Sequence, residues 1–444
     1  MQKPNRTMLN ITMNYPSNQM YLMSTEDIHS RFWSNGFGLA TENYKVIFAN
    51  DFMRKHGICA LFNKIEKEIV ENEISLLLIE ISSPIYDPFS LFDLKQKYGL
   101  MVVLLALDDE FKFDWISSSY ATVADLILTT DYVSVNRYRQ AGVNAHFFMP
   151  PDYIPHEVPE QSRNDLKYGV SFVGIVDDSK PSRVEFARFL ARNEIGVSYF
   201  VSSGSNNPLY LSRDERYSIF RNSAINLNFT GITTYLDKYD NVLYERIRGM
   251  KGRPLEICAA GGFCLSEFSI SLAKLLEDGV DIVYFKSKTE LIEKIQYFLS
   301  HQDEAKRIAA NGLKKIKEQS SREAVAKRLA ELIRESQEHL GIDLYGEPHR
   351  VKVSRWLASS FIVFTFSNSV TLLFKGRLLS FFNDSWNLAK FLRHLSVDAG
   401  TLLTLQVAFL VLYKLCKVMF ANVRSVILFI ATKFSWIRSS ARAK

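Results

Sequence analysis

Uninterrupted runs of apolar residues alternate with amphipathic segments along the first 150 residues. The runs are predicted as strands, and the segments, which repeat apolar positions every three or four residues, are predicted as helices. Runs that stay apolar throughout are typical of strands covered on both faces, so the pattern indicates a parallel sheet of βαβ units. The five predicted strands are QMYLM (19–23), YKVIFA (44–49), ISLLLIEI (74–81), LMVVLLAL (100–107) and ADLILTT (124–130).

A second series of the same kind follows the polar, proline-rich segment 149–165. Its predicted strands are VSFVG (170–174), VSYFV (197–201), INLNF (225–229), GFCLS (262–266) and DIVYF (281–285). We therefore predict an α/β fold class with two Rossmann-like doubly wound domains, residues 1–150 and 165–345. Sheets of this type bind ligands at the carboxyl ends of their strands, so the cleft between the two domains is the expected site.

The pattern changes after residue 350. Residues 356–374 carry no formal charge, and residues 350–444 contain 14 Lys and Arg against two acids. Between residues 414 and 438, helical spacing gathers most of the cations on one face, opposite aromatic and aliphatic residues. Such a helix suits an anionic membrane surface. We predict a C-terminal basic amphipathic helical extension, residues 350–444, that makes the protein a peripheral protein of the cytoplasmic face of the membrane.

Two alternatives remain open for this third region. It could be a helical subdomain packed on the rest of the protein, or 356–374 could span the bilayer, although seven of its 19 residues are Ser, Thr or Asn. Nucleic acid is not expected as a partner, because the cations share their surface with aliphatic side chains. The four cysteines show no CxxC spacing, so neither a disulfide framework nor a metal site is expected.

The segment KGRPLEICAAGGF, residues 251–263, concentrates charge beside residues with almost no side chain. Lys251 and Arg253 lie just ahead of a helix predicted to begin at Pro254, where cations and free amides favour a phosphate. Glu256 is suited to bind sugar or ribose hydroxyls. A purely structural interpretation is also available, with Glu256 stabilising the first turn and a glycine as the C-cap.

A second candidate phosphate contact lies at the start of the second domain. Gly174 ends the predicted strand VSFVG, and the helix that follows contains Arg183. A strand, a glycine turn and a helix start form a common phosphate-binding arrangement. One glycine is weak evidence, and its position in the first turn of the domain adds to it.

Residues 251–263, together with the later DGVDIVYF and IAANG segments, resemble the CgeB-like (spore-maturation-type) group of GT-B fold glycosyltransferases, of the glycosyl transferases group 1 family. The likeness covers roughly residues 75–335. It implies a nucleotide-diphosphate sugar as donor substrate and no obligatory cofactor. By this resemblance Glu256 holds the ribose, Lys251 and Arg253 face the diphosphate, and Gly261 and Gly262 let the helix and the donor approach closely.

The stereochemistry and the catalytic base stay open. Retaining members of the wider fold carry an acid eight positions before the second one, where this chain has Arg248, with Glu245 three residues upstream. Asp108 and Asp109 follow a predicted strand at the cleft rim, so either is a candidate base for an inverting transfer, or a helix cap. His29, after the first strand, is a third candidate for the base, although a lone histidine is more often structural.

These observations predict a glycosyltransferase that moves a sugar from a nucleotide-diphosphate sugar to a membrane-proximal acceptor, either lipid-linked or a cell-surface glycan. Two alternatives belong to other classes. One is a teichoic-type polyol-phosphate phosphotransferase of the same fold, and the other is a catalytically degenerate, membrane-bound partner module.

Overall fold

The computed structural model describes residues 18–24, 26, 44–81, 83–148, 166–178, 180–200, 211–231, 249, 252–338 and 353–395. The statements below concern these residues. The segment 149–165 and the predicted amphipathic helix of residues 414–438 lie outside them.

The first sheet has six parallel strands in the order β2-β1-β3-β4-β5-β6. The strands are β1 (Gln19–Met23), β2 (Tyr44–Phe48), β3 (Leu76–Ile81), β4 (Met101–Ala106), β5 (Leu126–Thr129) and β6 (Ala145–Phe147). Helices α1 (Ala49–His56), α2 (Ile58–Glu71), α3 (Pro88–Tyr98) and α4 (Tyr132–Gln140) connect them. All five strands predicted here are present, and the short β6 is the one that the apolar pattern did not predict.

The second sheet has five parallel strands in the order β11-β10-β9-β7-β8. Its strands are β7 (Tyr168–Val173), β8 (Val197–Phe200), β9 (Ser223–Asn228), β10 (Cys264–Glu267) and β11 (Val283–Phe285). Its helices are α5 (Pro181–Arg192), α6 (Arg213–Arg221), α7 (Arg253–Ala259), α8 (Ile270–Ala273), α9 (Lys288–Ser300) and α10 (Gln302–Ser320). In both sheets the strand order reverses beside the first strand, which confirms two doubly wound α/β domains.

Burial explains why the strands read as continuous apolar runs. Every residue of β3 and of β4 is buried, because successive side chains enter the two faces of the sheet in turn. Leu77 and Ile79 pack with helices α1 to α4, whereas Leu76 and Leu78 pack on the opposite face. The sheet is therefore covered on both faces, as expected for parallel strands.

The first domain is completed by segments from the end of the chain. Helix α11 (Arg322–Glu338) places Val325, Leu329, Leu332 and Ile333 against one face of the first sheet. On the other side, α12 (Arg355–Phe374) and the helical residues 378–395 join the core that includes α1 to α4. Residues 353–395 thus pack on the first domain.

The contact between α12, residues 378–395 and the first domain includes one buried carboxylate. Helix α2 begins after Gly57, which offers no side-chain cap, and its first amides need an acceptor from elsewhere. Asp384, 1% exposed, accepts from the Cys59 amide at 3.0 Å and from the Ser369 hydroxyl at 3.1 Å. An added Cβ at Gly57 would stand 2.6 Å from the Asp384 carboxylate, so glycine is required for this approach. Asp384 therefore caps α2 from the far end of the sequence.

By length and composition, one described helix is long and apolar enough to cross a membrane. Its window is Leu357–Phe374, with a mean hydropathy of 1.6 and 44% of the window buried. Leu357, Ala358 and Phe361 lie in the core of the first domain. A buried helix of a soluble core passes the same test of length and composition.

Candidate functional site

The carboxyl ends of the two sheets meet in a direct contact between the domains. Asp131 follows β5 and caps α4, accepting from the Ser134 amide at 3.0 Å. The Ser271 hydroxyl, from α8 after β10, donates to Asp131 at 3.0 Å, and the Tyr132 amide donates to Ser271 at 3.0 Å. The loops that follow the strands of both sheets therefore lie on the same side of the molecule, where ligands of doubly wound domains bind.

Two arginines lie close together beside the switch point of the second sheet, between β7 and β9. Arg183, in the first turn of α5, donates to the Ile175 carbonyl at 3.1 Å and covers the Phe172 ring at 5.6 Å. Burial, and after it the positive charge of Arg253, lower the pKa of Arg183. Its buried Nε has no hydrogen-bond partner among the described residues. An anion bound here would compensate both the repulsion and the desolvation.

The Arg253 side chain is held by two neighbours. It forms a charged hydrogen bond to Glu256, one turn along α7, and its guanidinium lies 5.7 Å from the Phe220 ring centroid. Glu256 is also 3.8 Å from Nε of Arg216, in α6. The predicted ribose-binding acid is thus part of an ion-pair cluster whose three side chains are 12–21% exposed. Sequence reasoning missed Arg216, because the α6 sequence has the pattern of an ordinary surface helix.

Gly174 has a different role from the one its position suggested. An added Cβ would stand 2.9 Å from the Phe172 ring and 3.3 Å from the Arg183 guanidinium. Its amide donates to the Phe200 carbonyl at 2.8 Å, so that amide is not available to a phosphate. Gly174 makes room for Arg183 against Phe172, and Arg183 is the group in this turn that can contact an anion.

Helix α7 begins with Arg253 at the carboxyl ends of the strands and ends before Gly261 and Gly262 at their amino ends. The Gly261 amide donates to Cys258 and the Gly262 amide to Ile257, both at 2.9 Å, and Gly261 has a φ of 75°. This pair of bonds is a Schellman motif, which supports the interpretation as a C-cap. A Cβ at Gly262 would lie 2.8 Å from the Phe220 carbonyl of α6 and 3.0 Å from the Asn226 side chain of β9, so glycine lets this turn pack closely against both. In this structure the two glycines lie at the amino ends of the strands, away from a donor bound at the carboxyl ends.

Asp108 and Asp109 occupy different environments although they are adjacent. Asp108 adopts a left-handed conformation, with a φ of 58°, and its side chain is 44% exposed and 3.4 Å from Lys112 Nζ. Asp109 is 0% exposed and accepts from the hydroxyls of Thr129 and Tyr138, both at 2.8 Å. Burial raises the pKa of Asp109 to about 6. Of the two, Asp108 is the one that an acceptor in the cleft can reach, and Asp109 stabilises the turn beneath it.

A buried acid that sequence reasoning did not select joins two strand ends at the same edge. Glu267, the last residue of β10, accepts from the Thr230 amide at 2.8 Å and from the Gly231 amide at 3.2 Å. It therefore fixes the backbone of residues 230 and 231, just after β9. The sequence feature that could have identified Glu267 is an acid directly after a predicted apolar strand.

The remaining sequence candidates lie outside the described residues: His29, Glu245, Arg248 and Lys251. Among the residues that the structure describes, no group of three His, Cys, Asp or Glu side chains could hold a metal ion.

The cation cluster lies in a part of the chain that matches a family model. Residues 186–333 match the family described as "Glycosyl transferase-like". Arg253, Glu256 and Arg216 lie inside the match, and Arg183 lies three residues before it. The comparison with curated proteins found no match.

Several solved structures are similar to this chain at low identity. The Anabaena protein HepE in complex with UDP is 10% identical, with a TM-score of 0.48, and the match covers 72% of this chain and 100% of that one. Sucrose-phosphate synthase of Thermosynechococcus elongatus is 10% identical over 72% and 99%, with a TM-score of 0.48. The N-terminal domain of Candida albicans trehalose-6-phosphate phosphatase is 10% identical over 72% and 97%, with a TM-score of 0.49. The fold assignment rests on the two sheets described above.

Proposed function

We propose that this protein is a GT-B glycosyltransferase that transfers a sugar from a nucleotide-diphosphate sugar to a membrane-proximal acceptor, lipid-linked or on a cell-surface glycan. The observation that carries the proposal is the pair Arg183 and Arg253 at the switch point of a glycosyl transferase-like domain. The positive charge of Arg253 adds to burial in lowering the pKa of Arg183, and an anion between the two guanidiniums would offset that repulsion. The CgeB-like group, which residues 251–263 resemble, is our proposal for the subfamily.

The cation cluster suits the leaving group of such a transfer. When the bond between sugar and diphosphate breaks, negative charge accumulates on the diphosphate, and preorganised cations in a partly desolvated site lower the barrier. Arg183 is held by the Ile175 carbonyl, so it needs no large rearrangement to contact phosphate oxygens, whereas Arg253 has to leave Glu256 to reach them. Arg216 then remains near Glu256 to balance its charge.

Glu256 has a second role in the proposed complex. Its carboxylate is 12% exposed and pairs with Arg253. If Arg253 turns toward the diphosphate, the carboxylate oxygen that it leaves becomes an acceptor for a ribose hydroxyl. The same ion pair would thus separate into a phosphate contact and a ribose contact when the donor binds.

On the acceptor side, Asp108 is the proposed base. It lies after β4 at the carboxyl edge of the first sheet, and its exposed carboxylate can take the proton of an attacking hydroxyl. Asp109 supports the position of Asp108 through Thr129 and Tyr138. A membrane-proximal acceptor is proposed because the chain is basic and apolar after residue 350.

Calorimetric titration of the full chain with nucleoside diphosphates and nucleotide sugars tests the donor. We expect one nucleoside diphosphate to bind, and Arg253→Ala to weaken it by about 10- to 100-fold, the usual value for a hydrogen bond to a charged group. Arg188→Ala is the matched control, because Arg188 is exposed on α5, five residues from Arg183. This control should bind as the wild type does.

The other outcomes of the titration identify the alternatives. Binding of glycerol- or ribitol-linked cytidine nucleotides without binding of sugar nucleotides would assign a polyol-phosphate phosphotransferase. If no nucleotide binds, the protein is a non-catalytic partner module. Binding that is equally strong in Arg253→Ala and Arg188→Ala would show that the donor site lies elsewhere.

A further inference from the structure

Five large apolar side chains are exposed near the turn between α12 and the helical residues 378–395. We call them the apolar edge: Phe374, Leu378, Leu379, Phe382 and Trp386, exposed by 87%, 57%, 74%, 64% and 77%. Within the second helix they recur at intervals of three and four residues, so they lie along one helical face. Single exposed apolar residues are ordinary, but a continuous set of this size marks a surface that contacts something apolar.

The exposure of the apolar edge does not come from a detached helix. The opposite face of residues 378–395 places Asp384, Phe391 and Leu395 in the first domain, all at 1% exposure. The Phe391 ring packs edge-on against Phe89, with centroids 5.7 Å apart, and at a tilt against Phe361, with centroids 4.6 Å apart. The helix therefore has two apolar faces, of which one is buried in the first domain and the other is open.

Charge selects the partner of the open face. The exposed charged residues of the turn and of residues 378–395 are all cations: Lys375 and Arg377 in the turn, and Lys390 and Arg393 further along. One exposed acid of the first domain, Asp93 in α3, lies 3.6 Å from Lys390. Asp384 is the sole acid between residues 353 and 395, and it is buried at 1% exposure. A second copy of the same edge, or the basic residues 414–444, would bring like charges together. An anionic lipid surface would not.

The side chains also match the chemistry of a bilayer interface. Tryptophan is favoured at the level of the headgroups, and Leu and Phe gain free energy from contact with acyl chains. Lysine and arginine beside them interact with anionic headgroups within a Debye length. We propose that the apolar edge inserts into the interface of an anionic membrane and holds the first domain there. This proposal deepens the proposed function and rests on it only for the membrane-proximal acceptor.

Quenching of tryptophan fluorescence by brominated lipid tests the insertion directly. The chain has five tryptophans, so the full-length wild type is compared with Trp386→Phe on vesicles of brominated phosphatidylcholine and phosphatidylglycerol. We expect the wild type to be quenched and Trp386→Phe to lose a large part of that quenching, because it retains the apolar surface but lacks the fluorophore. Trp115→Phe, a change within the first domain, is the matched control and should be quenched as the wild type is.

A second variant tests the energetics. Leu379→Gln with Phe382→Gln should weaken binding to these vesicles by about tenfold, since two exposed side chains lose their contact with lipid. Its melting temperature should equal that of the wild type, because both side chains point away from the core. Vesicles of phosphatidylcholine alone should bind the wild type more weakly than those with phosphatidylglycerol.

Two results would overturn the proposal: undiminished quenching in Trp386→Phe, or unchanged vesicle binding in the double variant. In the second case, a change of the double variant from dimer to monomer would identify a second copy of the chain as the partner of the apolar edge. Donor binding is measured on the same samples. A wild type that binds vesicles through Trp386 but no nucleotide would contradict the proposed function and leave this inference intact, and Arg253→Ala should bind vesicles normally.

Discussion

The two domains share one strand order but are assembled from the chain in different ways. The second domain is built from one segment of the chain, residues 166–320. The first domain uses residues 18–148 and then needs α11 on one face and residues 353–395 on the other. A shared topology therefore does not imply that the two domains fold in equally local ways.

The largest expected effect tests the dependence of the first domain on the end of the chain. Asp384→Ala removes the cap of α2 and leaves buried donors without an acceptor, at a cost of about 3 to 5 kcal/mol in the free energy of unfolding. Hydrogen exchange should accelerate in residues 58–71 and remain slow in β9. Asp384→Asn, which keeps one acceptor oxygen, is the control and should cost less. Equal acceleration in both domains would show that they unfold as one unit.

A change in pH dependence tests the buried acid under the cleft. The folded pKa of Asp109, about 6, lies above the ordinary 3.8, so the folded protein binds this proton more tightly than the unfolded chain does. Stability from this group is full below pH 4 and is lost as the pH rises through 6. Asp109→Asn should abolish that loss and be more stable above pH 6 by about 3 kcal/mol.

Urea unfolding at pH 4, 5, 6 and 7 measures the difference between wild type and Asp109→Asn. The gap between the two curves should open over this range and then stay constant. A gap that does not depend on pH would mean that Asp109 is not protonated in the folded protein below pH 6.

The smallest of the three effects tests the local packing of the second domain. An added Cβ at Gly312, in α10, would lie 2.4 Å from the Asp281 carbonyl, so Gly312→Ala forces helix and loop apart. We expect a loss of about 2 kcal/mol, measured by urea unfolding. Gly196→Ala, where nothing lies within 4 Å, is the matched control and should change stability little. Faster hydrogen exchange after Gly312→Ala should be confined to the second domain, and its spread to α2 would contradict the contrast between the domains.

The sheets could be predicted from the sequence because each strand is buried on both faces. The run LMVVLLAL was predicted at 100–107 and β4 occupies Met101–Ala106, and the other predicted strands agree similarly. Strand β6 has three residues and a half-exposed histidine, too little for an apolar run. The sequence assigned α11 to the second domain, within residues 165–345, whereas it packs on the first sheet. The packing of residues 353–395 was left open, because an amphipathic pattern shows that a face is apolar but not which surface covers it.

The candidate site was predictable only where charge and position coincide. Arg183 and Arg253 could be selected because they stand beside predicted strand ends and helix starts. Arg216 could not, since it acts through Glu256 across a helix contact that local spacing does not reveal. Gly261 and Gly262 show the opposite difficulty, because a helix C-cap and a loop that binds a donor require the same small residues.

The cap on α2 also has a consequence for synthesis on the ribosome. The carboxylate that completes this helix is encoded 325 residues after the amide that it accepts from. Domains generally form in order as the chain emerges, but here the first domain has to wait for residues 322–395 while the second, of local contacts, can form before it. Until residues 322–395 leave the ribosome, the nascent first sheet would expose apolar surface. A chaperone is therefore expected to bind this sheet during that interval.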